Sequence, residues 1–223
     1  MQLSDRFTLA AATADLDEEP VARDDADCVE FRMDLADDPL IALSEYGGEL
    51  PILATNRPAW EGGAADDEGR LEALEAALEI AAVEAIDVEL TTVERGDADG
   101  LLEAAAAADV DVVVSTHDFE ATPSREELES RLRRADEYGD VAKVATAAHD
   151  EDDTLALLSV TRSLTKRGVP VATMGMGEAG RHTRVVAPLY GSKIGYAPVD
   201  PDSATAPGQY DLSTMRALID ALR

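Results

Sequence analysis

Apolar runs of strand length recur roughly every 28 residues along the chain. Each is followed by a polar turn and then by a segment whose apolar residues return with helical spacing. The runs predict eight strands. They lie near 7–13 (FTLAAAT), 28–33 (CVEFRM), 51–56 (PILATN), 86–90 (IDVEL), 111–115 (DVVVS), 141–146 (VAKVAT), 169–174 (VPVATM) and 192–197 (SKIGYA). Helical patterns stand between them, among them DEGRLEALEAALEIAAV and SREELESRLRRADEYG. The second opens on Pro123 and Ser124 with acids in its first turn, a capped helix start. The segment LSTMRALIDALR reads as a terminal helix.

Strands alternating with helices build either an open doubly wound sheet or a closed (β/α)8 barrel. The short period fits a barrel, which needs about 250 residues in total. One motif argues the other way: Gly175, Gly177 and Gly180 stand in G-x-G-x-x-G spacing, with Asp200 twenty residues beyond the last of them, as in a dinucleotide unit. That fingerprint normally follows the first strand of a nucleotide-binding half. Here it follows the seventh, with fewer than fifty residues remaining, so the glycines read as a tight turn instead. No linker, low-complexity tract or repeat beyond the βα period breaks the chain, and residues 1–223 are expected to form one (β/α)8 TIM-barrel domain.

Charge narrows the partners. Asp and Glu total 47 against 19 Lys and Arg, a net charge of -28, and lysine occurs only at 143, 166 and 193. Such a field repels nucleic acid and anionic membrane, so neither is expected as a partner. Abundant carboxylates, scarce lysine and much alanine fit a salt-rich cytoplasm, where the Debye length shrinks to about 3 Å at 1 M. The N-terminal residues lack a basic stretch leading into an apolar one, and no run of eighteen apolar residues occurs, so a soluble cytoplasmic protein is expected. Cys28 is the one cysteine, and no H-x-x-H or H-E-x-x-H motif is present, so neither a disulfide framework nor a metal site is expected.

The polar residues inside the strands carry the chemistry. Strands of an all-parallel sheet are buried on both faces and usually read as continuous apolar runs. Here Glu30 and Arg32 alternate on the second, Arg57 follows the third, Glu89 lies within the fourth, His117 follows the fifth and Lys143 sits inside the sixth. In a barrel, residues at C-terminal strand ends build the active site. Burial among Val and Ala disfavours an ammonium and lowers its pKa from about 10.4, giving the neutral amine a Schiff-base nucleophile needs. A lysine that snorkels to water or pairs with a glutamate is the alternative. His117, with a reference pKa near 6.5, suits proton transfer, and Glu61 is available to orient its ring. His149 falls in a polar loop and His182 in the glycine-rich loop, and both read as exposed or supporting.

The stretches EFRMD, RPAWEGG, STHDF, VAKVA, MGMGEAGRHTR and TAPGQ resemble, in that order, the successive motifs of the type I 3-dehydroquinate dehydratases, over about four fifths of the chain. The resemblance implies a (β/α)8 barrel, commonly a homodimer, with no metal or organic cofactor. It implies dehydration of 3-dehydroquinate to 3-dehydroshikimate in aromatic amino-acid biosynthesis, through a Schiff base on Lys143. His117 is the implied proton carrier and Glu61 its partner. Glu30, Arg32 and Arg57 match positions that hold ring hydroxyls, Arg184 the arginine that holds the carboxylate, and Thr205 and Gln209 the closing loop. Glu89 matches an acidic position of supporting role. Thr205 and Thr183 stand where serine is more common, and both keep a hydroxyl. The segment before the first strand is short for the additional strands found at the base of the family's barrels. Two other readings share these residues: an aldolase or transaldolase barrel using the same lysine on a sugar phosphate, and a non-catalytic acidic barrel whose strand-end charges form structural ion pairs.

Overall fold

The alternation of apolar and polar residues is realised as a ring of eight strands. The computed structural model describes residues 1–199 and 208–222. The strands are β1 (Thr8–Thr13), β2 (Cys28–Arg32), β3 (Ile52–Thr55), β4 (Val83–Glu89), β5 (Asp111–Asp118), β6 (Val141–Ala147), β7 (Val171–Met176) and β8 (Ile194–Pro198). They pair in parallel in the order β7-β6-β5-β4-β3-β2-β1-β8. At the seam between β7 and β8 a bridge joins Val171 to Ser192, and Lys193 N donates to Val171 O at 2.7 Å. The sheet is therefore a nearly closed barrel.

The connections carry α1 (Glu19–Ala22), α2 (Pro39–Glu45), α3 (Arg70–Ala77), α4 (Leu90–Glu94), α5 (Asp99–Ala108), α6 (Arg125–Asp136), α7 (Glu151–Thr165), α8 (Gly177–Gly180), α9 (Thr183–Tyr190) and α10 (Leu212–Leu222). Ser124 caps α6 as expected, its hydroxyl accepting from Glu127 N at 3.3 Å. Among the described residues, no helix is long and apolar enough to cross a membrane.

Two side-chain layers follow from the period of two along each strand. One set of residues, including Val29, Phe31, Ile86 and Val88, faces outward against Leu74 of α3 and Leu101 of α5. Burial of each such side chain contributes about 1.5–3 kcal/mol. The other set faces the barrel axis. At its base Ala10, Cys28, Leu53, Ala85 and Val113 pack around Leu3, which is fully buried and whose N–H donates to Asp111 Oδ2 at 2.7 Å. The N-terminal segment thus closes the base with a side chain, and residues 1–7 contain no strand. One pleat higher the inward positions become polar, and there the chemistry begins.

Several boundaries differ from the expected ones. β4 begins at Val83, and α3 stops at Ala77, because the backbone turns at Ile80, whose carbonyl accepts from Val83 N at 2.9 Å. β7 starts at Val171 because Pro170 has no N–H to give to a ladder; its carbonyl accepts from Ala142 N. β5 runs on to Asp118, paired with β6 as far as Thr146, which puts His117 inside the strand. Asp200 and Thr205 lie outside the described residues.

Candidate active site

Lys143 projects from β6 into the barrel with 5% of its side chain exposed. Its neighbours in sequence are Val and Ala, but the adjacent strands supply partners. Nζ lies 2.9 Å from Asp87 Oδ2 and 4.2 Å from the centroid of the Tyr196 ring on β8. Asp87 is fully buried and shared: its Oδ1 accepts from Arg57 Nη2 at 2.7 Å and from Ser115 Oγ at 2.6 Å. Burial favours its neutral acid, yet Arg57 and Lys143 hold it well below the usual carboxylate range.

Arg57 also donates from Nη1 to Glu89 Oε1 at 2.9 Å and to Ser115 Oγ at 2.6 Å. Glu89, expected only to assist, is fully buried between two arginines, Arg57 and Arg70. Asp87, Ser115 and Arg70 complete this network, and Ser115 and Arg70 do not stand out in the strand pattern. The signal was present for Asp87: it alternates with Glu89 on a strand buried on both faces.

The E-G-G stretch after β3 owes its form to backbone needs. Gly62 adopts φ +81°, and the Phe119 ring lies where a side chain on it would be, with Cζ 2.3 Å from an ideal Cβ. At Gly63 a Cβ would meet the Arg57 carbonyl oxygen at 2.0 Å. The tight turn aims Glu61 back at β5. Glu61 Oε1 accepts from His117 N at 2.9 Å and lies 3.1 Å from His117 Nδ1. This bond leaves the other ring nitrogen to the cavity. Burial pushes Glu61 up to about 7, against the pull of Arg57. Burial, reinforced by Arg57 and Lys143, pushes His117 well below 6.5. The imidazole is accordingly held neutral, as a base must be.

The glycine-rich turn is built around one hydroxyl. Gly180 packs directly on Gly175, where a Cβ would meet the carbonyl carbon at 2.5 Å. Thr183 Oγ1 accepts from Gly175 N at 2.8 Å and donates to Gly180 O at 2.7 Å. The latch starts α9 beside β7 and turns Arg184 inward, 4% exposed, where burial lowers its guanidinium to about 10. That leaves it charged at neutral pH.

A cavity opens above Lys143. Glu30, Arg32, Arg57, Glu61, His117, Lys143, Arg184 and Gln209 all line it, so every expected site residue that is described converges there. Arg32 is held from behind by Asp34 through bonds of 2.8 and 2.6 Å, and Glu30 accepts from Thr55 Oγ1 at 3.2 Å. Met174, Met176 and Phe119 supply an apolar wall, and the Phe119 ring stacks on His117 at 5.9 Å. His149 and His182 lie at the surface. Among the described residues no group of three or more His, Cys, Asp or Glu side chains is placed to hold a metal ion.

Comparison with known proteins agrees with this geometry. The family described as type I 3-dehydroquinase matches residues 8–223. A 3-dehydroquinate dehydratase of Haloarcula marismortui is 61% identical over 221 residues, 97% of this chain and 96% of that protein. The crystal structure of 3-dehydroquinate dehydratase from Geobacillus kaustophilus superimposes with a TM-score of 0.86 at 30% identity, covering 98% of this chain and 91% of that one. The type I enzyme of Clostridium difficile, described with covalently modified comenic acid, superimposes with a TM-score of 0.86 at 27% identity, covering 97% and 92%. A nearly closed eight-stranded barrel with a buried lysine, a carboxylate-held histidine and an inward arginine, together with these matches, shows that the chain belongs to the type I 3-dehydroquinase family.

Proposed function

We propose that this 3-dehydroquinate dehydratase works through a Schiff base on Lys143. The observation that carries the reading is one cavity containing a buried primary amine and, on the adjacent strand, an imidazole held through Nδ1 by a buried carboxylate. The Clostridium difficile relative, described with covalently modified comenic acid, is consistent with covalent chemistry.

The steps follow from those groups. The Lys143 amine adds to the C3 ketone and, with loss of one water, leaves an iminium. The iminium withdraws electrons from C2, so His117 takes a C2 proton and an enamine forms. The enamine electron pair expels the C1 hydroxyl, which takes the proton back from His117 and leaves as water. Hydrolysis of the conjugated iminium frees 3-dehydroshikimate and the amine. Arg184 receives the substrate carboxylate in a charge-assisted pair. Glu30 and Arg32 face the ring hydroxyls, while Arg57, its Nη groups committed to three partners, acts as a fixed positive charge beneath the ring. Gln209 lines the cavity, and with Thr205 of the same TAPGQ stretch it serves to keep water from the iminium.

The chain works as one barrel domain, paired as a homodimer in a salt-rich cytoplasm, without nucleic-acid or membrane partners; its charge of -28 and its Haloarcula marismortui relative support the salt adaptation. The test is the absorbance of the conjugated enone product in molar KCl, with wild type and Lys143→Ala side by side. Signal from wild type alone is expected. Equal signal from both overturns the role of Lys143, and none from either overturns the reaction.

A further inference from the structure

Arg70 belongs to α3, on the outside of the barrel, yet only 5% of it is exposed. Its guanidinium reaches through the wall. Nη1 lies 2.9 Å from Glu89 Oε2, and Nη2 donates to Thr92 Oγ1 at 2.8 Å. Thr92 Oγ1 in turn donates to the same Glu89 oxygen at 3.1 Å. The helix start is fixed from the strand side as well, because Arg70 O accepts from Asn56 Nδ2 at 3.0 Å.

From Arg70 the charges alternate inward. Glu89 gives its other oxygen to Arg57 at 2.9 Å, Arg57 reaches Asp87 at 2.7 Å, and Asp87 gives its second oxygen to Lys143 at 2.9 Å. Each carboxylate spends one oxygen on each neighbouring cation. In a buried network of this kind the strength of one contact depends on how its neighbours are satisfied. Arg57 stands between two anions, and its share for Asp87 is set by how far Glu89 is already neutralised from outside.

We infer that Arg70 is a positioning residue for the nucleophile: by holding Glu89 from the outer helix it keeps Arg57 committed to Asp87, and so fixes how strongly Asp87 holds the Lys143 amine. The inference rests on the reading of Lys143 as the Schiff-base lysine. Without Arg70, Glu89 keeps only Arg57 as a cation and draws it away. Asp87 then has Lys143 as its main cation, the ammonium is favoured, and attack on the ketone requires more alkaline solution. The other charged or ionisable groups around the amine are Glu30 and Arg32 on β2, His117 with Glu61, Tyr196 on β8 and Arg184 on α9. None of them contacts Arg70 among the described residues.

The experiment compares wild type, Arg70→Met, Arg70→Lys and Thr92→Val as full chains in molar KCl. It measures kcat and KM against pH, and the rate of borohydride trapping on Lys143. Arg70→Met is expected to lose about tenfold in kcat at pH 7, with KM changed less than about twofold and the loss recovered roughly one pH unit higher. Arg70→Lys restores most of the rate, and Thr92→Val shifts the profile the same way by less. Should Arg70→Met not fold, the direction of the Thr92→Val shift decides. A loss equal at every pH, or none at any pH, overturns the role of Arg70 alone. A wild type that traps no adduct overturns the Schiff-base reading and this inference with it.

Discussion

The Lys143 ammonium sits 2.9 Å from Asp87 Oδ2 at the floor of the cavity, and neither side chain is more than 5% exposed. Asp87 is thus the shared anion of two cations, Lys143 and Arg57. In Asp87→Asn both cations lose it, and breaking a buried pair from one side costs about 3–5 kcal/mol of stability. The amide also stabilises the ammonium less, so the acidic limb of the borohydride-trapping rate is expected at lower pH than in wild type, while kcat falls because the amine is no longer aimed. A limb that stays in place or moves upward refutes this account of the pair.

His117 shares the cavity with Lys143 but makes no bond to it, so trapping and turnover should separate. His117→Ala is expected to form the borohydride-stabilised adduct while kcat drops by about 10²–10⁴, the usual worth of a positioned proton carrier. Mass spectrometry of the trapped protein reads the first quantity and enone absorbance the second. Equal loss of both removes the histidine from proton transfer.

Thr183 tests how the glycine-rich turn delivers Arg184. Its hydroxyl satisfies the Gly175 N–H and the Gly180 carbonyl at once, in a fully buried place. Thr183→Val leaves that N–H without its partner, which costs about 1–3 kcal/mol. The substrate's KM should rise more than kcat falls, since the carboxylate contact is displaced rather than the amine. Thr183→Ser keeps the hydroxyl and should behave as wild type. A valine variant with unchanged KM disconnects the latch from Arg184.

What the sequence revealed and what it hid have physical reasons. Strands buried on both faces make a charge inside them conspicuous, so Glu30, Arg32, His117 and Lys143 were legible together with the barrel. The partners of those charges were not. Asp87 alternates with Glu89 along β4, but nothing in the linear pattern shows that its partners are Ser115 on β5 and Lys143 on β6. Arg70 lies in a helix dense in charge, DEGRLEALEAALEIAAV, where an inward arginine looks like an outward one. The partners of Lys143 are not visible along the chain, because its neighbours in sequence are Val and Ala. Its neighbours in space come from β4 and β8, and pairing across strands is what a linear pattern omits. The glycine spacing misled for the opposite reason: a tight strand-to-helix turn uses the same residues whether it cradles a phosphate or carries an arginine inward.

The Glu61–His117 pair gives stability a pH dependence with a defined sign. Burial raises Glu61 from 4.5 to about 7 in the folded protein. Its contribution is therefore fully present below 4.5 and is lost as pH rises through 7. His117 is depressed from 6.5, so its contribution is present above that value and lost as pH falls toward the folded one. Glu61→Gln removes the first effect. Relative to wild type it should gain up to about 3 kcal/mol between pH 4.5 and pH 8, read from denaturant midpoints. A difference that stays constant across that range contradicts the raised carboxyl.

With 47 acidic and 19 basic side chains, at least 28 carboxylates have no cation of their own, since 47 less 19 is 28. Exposed pairs such as Arg131–Glu127 and Arg133–Glu129 offset little of this repulsion. The buried chain from Arg70 to Lys143 is shielded from salt, whereas the surface is not, so salt should act on the surface term almost alone. Raising KCl from 0.1 M to 1 M contracts the Debye length from about 10 Å to about 3 Å. A relief of several kcal/mol would raise the melting temperature by roughly 10 °C in a chain of this size. Potassium chloride is the salt to use, because sulfate stabilises folded proteins by exclusion whatever their charge. A melting temperature that falls or stays flat across that range, followed by calorimetry, removes salt adaptation as the reason for the acidic surface.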